Sequence, residues 1–339
     1  MLIDDFDYEL PDDAIAQSAR EPRDAARLLR VRGREDFVFS DLGSILEPGD
    51  LLVVNRTRVR AARLRGRKIG SGGAVEALLL RRIDTTRWEA MVRPARRLRA
   101  GSSLTFSEAT AVVESDPVGG VVVLELTTPG GDVEALLARV GEVPLPPYFH
   151  GSLPTPDRYQ TVFARTVGSA AAPTAALHFT SALCADLEGS GVGFAEIDLE
   201  VGLDTFRPMQ GDAVTDHVIH RERFKLPAIT ADRIRDARRR GGRVIAVGTT
   251  SVRTLETMAS GDGLVDAGSG ESSLFITPGY HARVVDGVIT NFHAPRTTLI
   301  ALVAALIGPE WRDVYRAALD RGYRFLSFGD AMVIEGIRE

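Results

Sequence analysis

The side chains with the most chemical capacity in this sequence gather where short apolar runs stop. Val244 to Val247 ends at Gly248, and Thr249, Thr250, Ser251 and Arg253 follow at once. Val288-Ile289 is followed by Asn291, Phe292 and His293. Hydroxyls, an amide, a guanidinium and an imidazole in such positions can hold a polar small molecule and move a proton. The hydroxyls have a plainer use: Thr and Ser at a helix start accept from free amides of the first turn, and capping explains each of them alone. It does not explain Arg253 or His293. A cation near a helix N-terminus opposes the helix dipole, so Arg253 calls for an anion: Asp330, Glu256 or a ligand carboxylate. His178 follows the small-residue run Ala170-Ala171-Ala172-Pro173-Thr174-Ala175-Ala176-Leu177, which lets a ligand or another backbone come close. His178 and His293 are expected to titrate near neutrality. Asp330 sits between apolar halves of a C-terminal strand, and a buried carboxylate needs a partner.

Those residues need elements to hold them. Val244 to Val247 reads as a buried strand. Thr249 to Ser251 then cap a helix whose Val252, Leu255 and Met258 face inward. Residues 274 to 277 read as a strand. Val284-Val285 and Val288-Ile289 read as a hairpin turned at Asp286-Gly287. Thr297 or Thr298 caps a helix over 299 to 307. Strands are expected at 27–31, 37–39, 51–54, 194–201 and 323–334, the last broken at Gly329-Asp330. Helices are expected at 11–18, 180–187, 229–241 and 311–318. In open α/β sheets ligands sit beyond the carboxyl ends of strands, so Thr249, Thr250, Ser251, Arg253, Asn291 and His293 are expected to line one pocket.

The middle of the chain differs. Residues 56 to 68, RTRVRAARLRGRK, carry seven basic side chains in thirteen. Arg63, Arg65 and Arg67 alternate and so share one face of a strand. Short β-prone runs separated by Gly or Asp continue to about residue 143, as in a small barrel or sandwich. A second cluster, Arg93, Arg96, Arg97 and Arg99, lies in a loop. Two arginine clusters suggest a polyanion-binding face; a solvated face neutralised by nearby acids explains them equally well. VPLPPY at 143–148 is a stiff linker. The expected fold is α/β: a discontinuous main domain, 1–58 and 148–339, with an inserted small all-β barrel, 59–147.

At 339 residues the chain exceeds what one core usually serves. Its 44% hydrophobic and 26% charged residues are those of a globular protein. One cysteine, Cys184, excludes an internal disulfide framework and suits a reducing cytoplasm. The acidic N-terminus has no signal-peptide core, and the apolar run at 299–307 is too short to span a bilayer. Net charge of −5 does not mark the whole chain as a nucleic-acid binder. His217-x-x-His220-x-Glu222 looks like a ligand run, but strand alternation splits the histidines and no third strong ligand is near, so no metal is expected. No G-x-G-x-x-G, Walker A, G-x-S-x-G or H-E-x-x-H occurs. Enzyme and RNA-binding module both remain open on this chemistry.

Longer motifs are more specific. FDYELP, PGDLLVVNRTRVRAARLRGRK, VPLPPY, RYQTVFA, SAAAPTAALHF, VGTTSVRTLE, ITNFHAPRTTLI and YRFLSFGDAMVI run in order along nearly the whole chain. In these the sequence resembles the S-adenosylmethionine:tRNA ribosyltransferase-isomerase family of queuosine biosynthesis. The resemblance implies an α/β domain with an inserted β-barrel, and tRNA and S-adenosylmethionine as partners. It implies transfer and isomerisation of the ribosyl moiety onto the 7-aminomethyl-7-deazaguanine wobble base, giving epoxyqueuosine-tRNA, adenine and methionine. S-adenosylmethionine would be a consumed substrate, with no cofactor and no metal. A monomer without membrane attachment, working in the cytoplasm, is the expectation. His178, His293 and Asp330 become catalytic candidates. Thr174, Thr249, Thr250, Ser251, Arg253, Asn291, Tyr159 and Glu222 become substrate-binding candidates. Arg63, Arg65, Arg67, Arg96 and Arg97 become tRNA-binding candidates. The chain departs from the family pattern at Glu200, Asp204 and Ala176. A non-catalytic or altered-acceptor RNA-binding relative on the same fold is the alternative.

Overall fold

The computed structural model describes all residues except 152, 203–206, 220, 262 and 339. The chain forms two compact units, Met1–Arg58 with Pro146–Glu339, and Val59–Leu145. The first is mixed α/β and the second carries a closed barrel, as the order of elements implied.

The main sheet begins with β1 (Arg27–Arg30), β2 (Glu35–Val38) and β3 (Leu51–Asn55). The barrel strands are β4 (Arg63–Lys68), β5 (Ala74–Arg82), β6 (Arg87–Arg93), β7 (Ser103–Phe106), β8 (Ala109–Val113) and β9 (Val121–Thr127). The main sheet resumes with β10 (Gly193–Leu199), β11 (Glu222–Leu226), β12 (Val244–Val247), β13 (Gly268–Ser272), β14 (Gly287–Asn291) and β15 (Ala331–Glu335). Among the described residues its order is β13-β11-β10-β3-β12-β14-β15-β1-β2. The centre is parallel: β3 pairs with β10 and β12, and β12 with β14. Every residue of β3, β12 and β14 is buried, because both faces are covered, and such strands read as unbroken apolar runs. Leu51, Val53, Val244, Ala246 and Val288 face a core with Ile234 and Ala237 of α3 (Ala228–Arg239) and Val252 and Leu255 of α4 (Thr249–Thr257). Leu52, Val54, Ile245, Val247 and Ile289 face the opposite core with Leu183 and Leu187 of α2 (Ser181–Gly189). A third core gathers α5 (Thr298–Ile307) and α6 (Trp311–Asp320) around Phe292 and Phe325.

Several expected elements take another form. The hairpin at Asp286-Gly287 is absent: β14 pairs parallel with β12 and antiparallel with β15. Asp286 instead accepts the Val244 N–H (2.6 Å) and ion-pairs with Arg238 and Arg338. Apolar residues on either side of Asp-Gly also describe a loop entering a buried strand, and local sequence does not separate the two. Residues 274 to 277 form no strand; the strand there is the polar β13, recruited by its backbone pairing with β11. Of residues 11–18 only Asp12–Ala14 form a 3-10 turn, and of 323–334 only the part from Ala331 is strand.

The barrel closes in the order β9-β6-β5-β4-β7-β8 back to β9. Gly66 is required there, since a Cβ would lie 2.1 Å from the Thr105 carbonyl oxygen. The insert is not purely β. α1 (Val133–Val140) buries Val133, Leu136 and Leu137, and Asp132 caps it by accepting from Glu134 and Ala135 amides. No helix among the described residues is long and apolar enough to cross a membrane.

Candidate active site

A cavity opens at the carboxyl ends of β12 and β14, against the N-terminus of α4. Thr174, Gly248, Thr249, Thr250, Asn291 and His293 are on its wall. The strand–helix turn is made by Gly248, at φ +84°, a conformation that L side chains avoid. Because the backbone caps itself at Gly248, none of the three following hydroxyls acts as the N-cap. Ser251 donates instead to the Val247 carbonyl (2.9 Å). The Thr250 hydroxyl is buried with no hydrogen-bond partner, and an unmet buried hydroxyl costs free energy. Helix dipole and unmet hydroxyl together suit an anionic or strongly accepting ligand group.

β14 delivers Asn291 and His293. Asn291 accepts from the Thr174 hydroxyl (2.9 Å) and donates to the Leu326 carbonyl (3.2 Å). The His293 Nε2 lies 2.9 Å from the Thr290 hydroxyl. Its N–H donates to the Tyr315 oxygen (3.1 Å) and its carbonyl accepts from Tyr8. Burial pushes its pKa down to about 3, so His293 is neutral at physiological pH, against the expectation of titration near neutrality. Sequence reasoning missed Tyr148 and Ser327, which share the wall and bond to one another at 2.5 Å. Tyr148 ends the VPLPPY linker, and an aromatic hydroxyl beside a rigid turn was the available signal.

The other expected site residues are elsewhere. His178 is buried, with Nδ1 3.0 Å from the Ala175 carbonyl, Nε2 2.9 Å from the Gly329 carbonyl, and its ring stacked on Phe39. Burial lowers its pKa too, and its ring borders a second, smaller cleft. Asp330 is fully buried and accepts the Arg27 and Arg324 amides (3.0 and 2.8 Å), joining the starts of β1 and β15. It neither reaches the pocket nor meets Arg253. Arg253 pairs with Glu222 and donates to the Leu274 carbonyl. The expected partners are thus replaced by a third acid, brought close because β11 packs beside α4. Glu256 is occupied by Tyr280 and the amides of Arg283, Val284 and Val285. Tyr159 is fully buried against Phe328, and Ser251 is fully buried behind the wall. Of the departures, Glu200 is exposed and Ala176 is core; Asp204 and His220 lie outside the described residues. Among the described residues no three His, Cys, Asp or Glu side chains form a metal-holding group.

On the barrel, Arg63 faces Glu76 (3.6 Å) and Arg65 pairs with Glu142 (2.9 Å). Acids thus lie beside both. Arg67 donates to the Gly72 carbonyl, and Arg96 and Arg97 are exposed on the turn Ala95–Arg97.

A mixed sheet with a partly polar pocket at its carboxyl edge, in a chain that also carries an inserted arginine-bearing barrel, defines an α/β protein with an auxiliary β module. The chain belongs to the family of queuosine biosynthesis proteins, whose family model matches residues 3–334. It is 50% identical to the S-adenosylmethionine:tRNA ribosyltransferase-isomerase of Moorella thermoacetica, over 98% of this chain and 100% of that protein. Identity with the Gloeobacter violaceus protein of the same name is 49%, over 98% and 96%. A crystal structure of S-adenosylmethionine tRNA ribosyltransferase from Thermotoga maritima aligns with a TM-score of 0.54 at 36% identity, covering 97% of this chain and 99% of that one.

Proposed function

We propose that this protein transfers the ribosyl moiety of S-adenosylmethionine to the aminomethyl group of a 7-aminomethyl-7-deazaguanine wobble base in tRNA. The ribosyl carbon skeleton is isomerised to an epoxycyclopentanediol, and adenine and methionine leave. The observation that carries this reading is the end-to-end likeness to relatives bearing that activity in their names. The pocket is compatible with it: its wall sets a few placed polar groups, among them Thr174, Thr249, Thr250, Asn291 and His293, between apolar side chains.

The sulfonium acidifies the neighbouring C5′ protons, so a base can remove one and break the C4′–O4′ bond; the oxygen so freed forms a carbonyl at C1′ as adenine leaves. The acceptor amine must be neutral to attack. On this reading Thr249 and Thr250, at the α4 N-terminus, hold the methionyl carboxylate. Asn291 and His293 bond to the adenosyl part. His293, kept unprotonated by burial, offers a neutral imidazole on the pocket wall. S-adenosylmethionine is consumed and the reading assigns no cofactor. Arg67, Arg96 and Arg97 are the barrel side chains left to meet tRNA. The protein works as a cytoplasmic monomer.

The test incubates the protein with S-adenosylmethionine and tRNA carrying the aminomethyl-deazaguanine. Adenine, methionine and epoxyqueuosine-tRNA are expected together. If none is released while tRNA still binds, the protein is a non-catalytic RNA binder. Turnover on unmodified tRNA instead would mark a changed acceptor.

A further inference from the structure

The second cleft is lined by Arg20, Arg23 and Arg158, with His178 and Gly329. Its charge is unusually placed. Arg23 donates to three backbone carbonyls, those of Gln160 (2.7 Å), Asp157 (3.0 Å) and Leu177 (3.5 Å). That fixes the guanidinium without a carboxylate on those bonds. Arg158 donates to the Arg20 carbonyl (2.9 Å) and meets Glu21 (2.9 Å), whose side chain is 76% exposed. Asp157, 81% exposed, pairs outward with Arg58. Arg324, behind the cleft, is held by the Ser18 and Phe328 carbonyls and pairs with the buried Asp330 (3.9 Å). Burial and the nearby Arg158 lower the proton affinity of Arg23, so an anion entering the cleft relieves it. Ser327 lies on the wall of this cleft and of the larger pocket, so the two are neighbours across one residue.

We propose that the Arg20–Arg23–Arg158 cleft binds a backbone phosphate of the tRNA anticodon loop, next to the nucleotide whose base enters the larger pocket. Planar guanidiniums suit phosphate oxygens, and bases splayed from single-stranded loops leave their phosphates at the rim of the pocket that takes them. This rests on the tRNA reading above and adds to it the surface that seats the reacting nucleotide.

The test measures binding of an anticodon stem-loop across a salt series, with wild type, Arg20→Gln, and Arg20→Gln/Arg158→Gln. Arg20 is exposed, so the single variant leaves the interior intact. The double variant should bind about tenfold more weakly, with the slope of log K against log salt smaller by roughly 0.7 for each phosphate that is no longer neutralised. S-adenosylmethionine affinity by calorimetry should not change. A stem-loop with neutral methylphosphonates flanking the wobble nucleotide should weaken wild type but cost the double variant nothing further. Equal loss in both proteins, or an unchanged salt slope, overturns the proposal. Thermal stabilisation by inorganic phosphate, without methylphosphonate coupling, means a free-anion site and overturns it too. If wild type binds no stem-loop at all, the tRNA reading itself fails, which is a different result.

Discussion

Thr250, Arg253 and His293 each separate a binding role from a structural one. The Thr250 hydroxyl is buried and unpartnered, so Thr250→Val should leave urea stability equal or higher, by up to about 1 kcal/mol. The same change should weaken S-adenosylmethionine binding several-fold by calorimetry; unchanged affinity would show that no ligand uses the hydroxyl. Arg253 behaves oppositely. Its ion pair with Glu222 is nearly buried, with side chains 11% and 6% exposed. Arg253→Ala strands an acid in the interior and should cost about 3 to 5 kcal/mol in urea unfolding. Lost ligand affinity at full stability would return Arg253 to the pocket. For His293 the folded pKa is about 3 and the unfolded value about 6.5. Above pH 6.5 the ring is neutral in both states. Below it only the unfolded chain takes the proton, so stability present above pH 6.5 is lost as pH falls towards 3. At pH 5 that loss is about 2 kcal/mol. His293→Asn should shrink the stability difference between pH 7 and pH 5 by that amount.

At the scale of elements, the turn from β12 into α4 sets the pocket. Gly248 holds φ +84° and ψ 157°, a region nearly closed to other residues. Gly248→Ala should cost about 1 to 3 kcal/mol. It should also reduce turnover further than the stability loss explains, because Thr249 and Thr250 move with the helix start. Normal turnover in the folded variant would show that the helix start tolerates displacement. The unit is built so that short parallel strands end together, and the residues after them converge although 117 positions separate Thr174 from Asn291.

At the scale of the whole molecule, charge separates what is merely solvated from what can attract a polyanion. Arg63 and Arg65 face acids, and an exposed pair such as Arg65–Glu142 contributes about 0 to 1 kcal/mol. Replacing Arg65 with Gln should change neither stability nor tRNA salt dependence appreciably. Replacing Arg67, Arg96 and Arg97 with Gln should flatten the plot of log K against log salt by roughly two units. An unchanged slope would mean that the barrel arginines meet only solvent, and that tRNA rests on the α/β unit alone.

The sequence by itself determined the architecture and much of the pocket. Buried strands are continuous apolar runs and barrel strands alternate, and both patterns are local, so β3, β12 and the six barrel strands could be read directly. The motifs carried the family and Thr174, and Thr249, Thr250, Asn291 and His293 could be gathered because strand ends in α/β sheets share an edge; Ser251 and Arg253, gathered with them, lie off the wall. Only tertiary structure decided the partners. Which carboxylate meets Arg253 depends on β11 lying beside α4, a pairing between residues 31 apart that no local pattern encodes. Asp286-Gly287 has the same local form in a hairpin and before a buried strand; the pairing of β14 with β12 chose the second. The proton affinities of His178 and His293 follow from burial, and burial is a property of the packed chain rather than of any stretch of it.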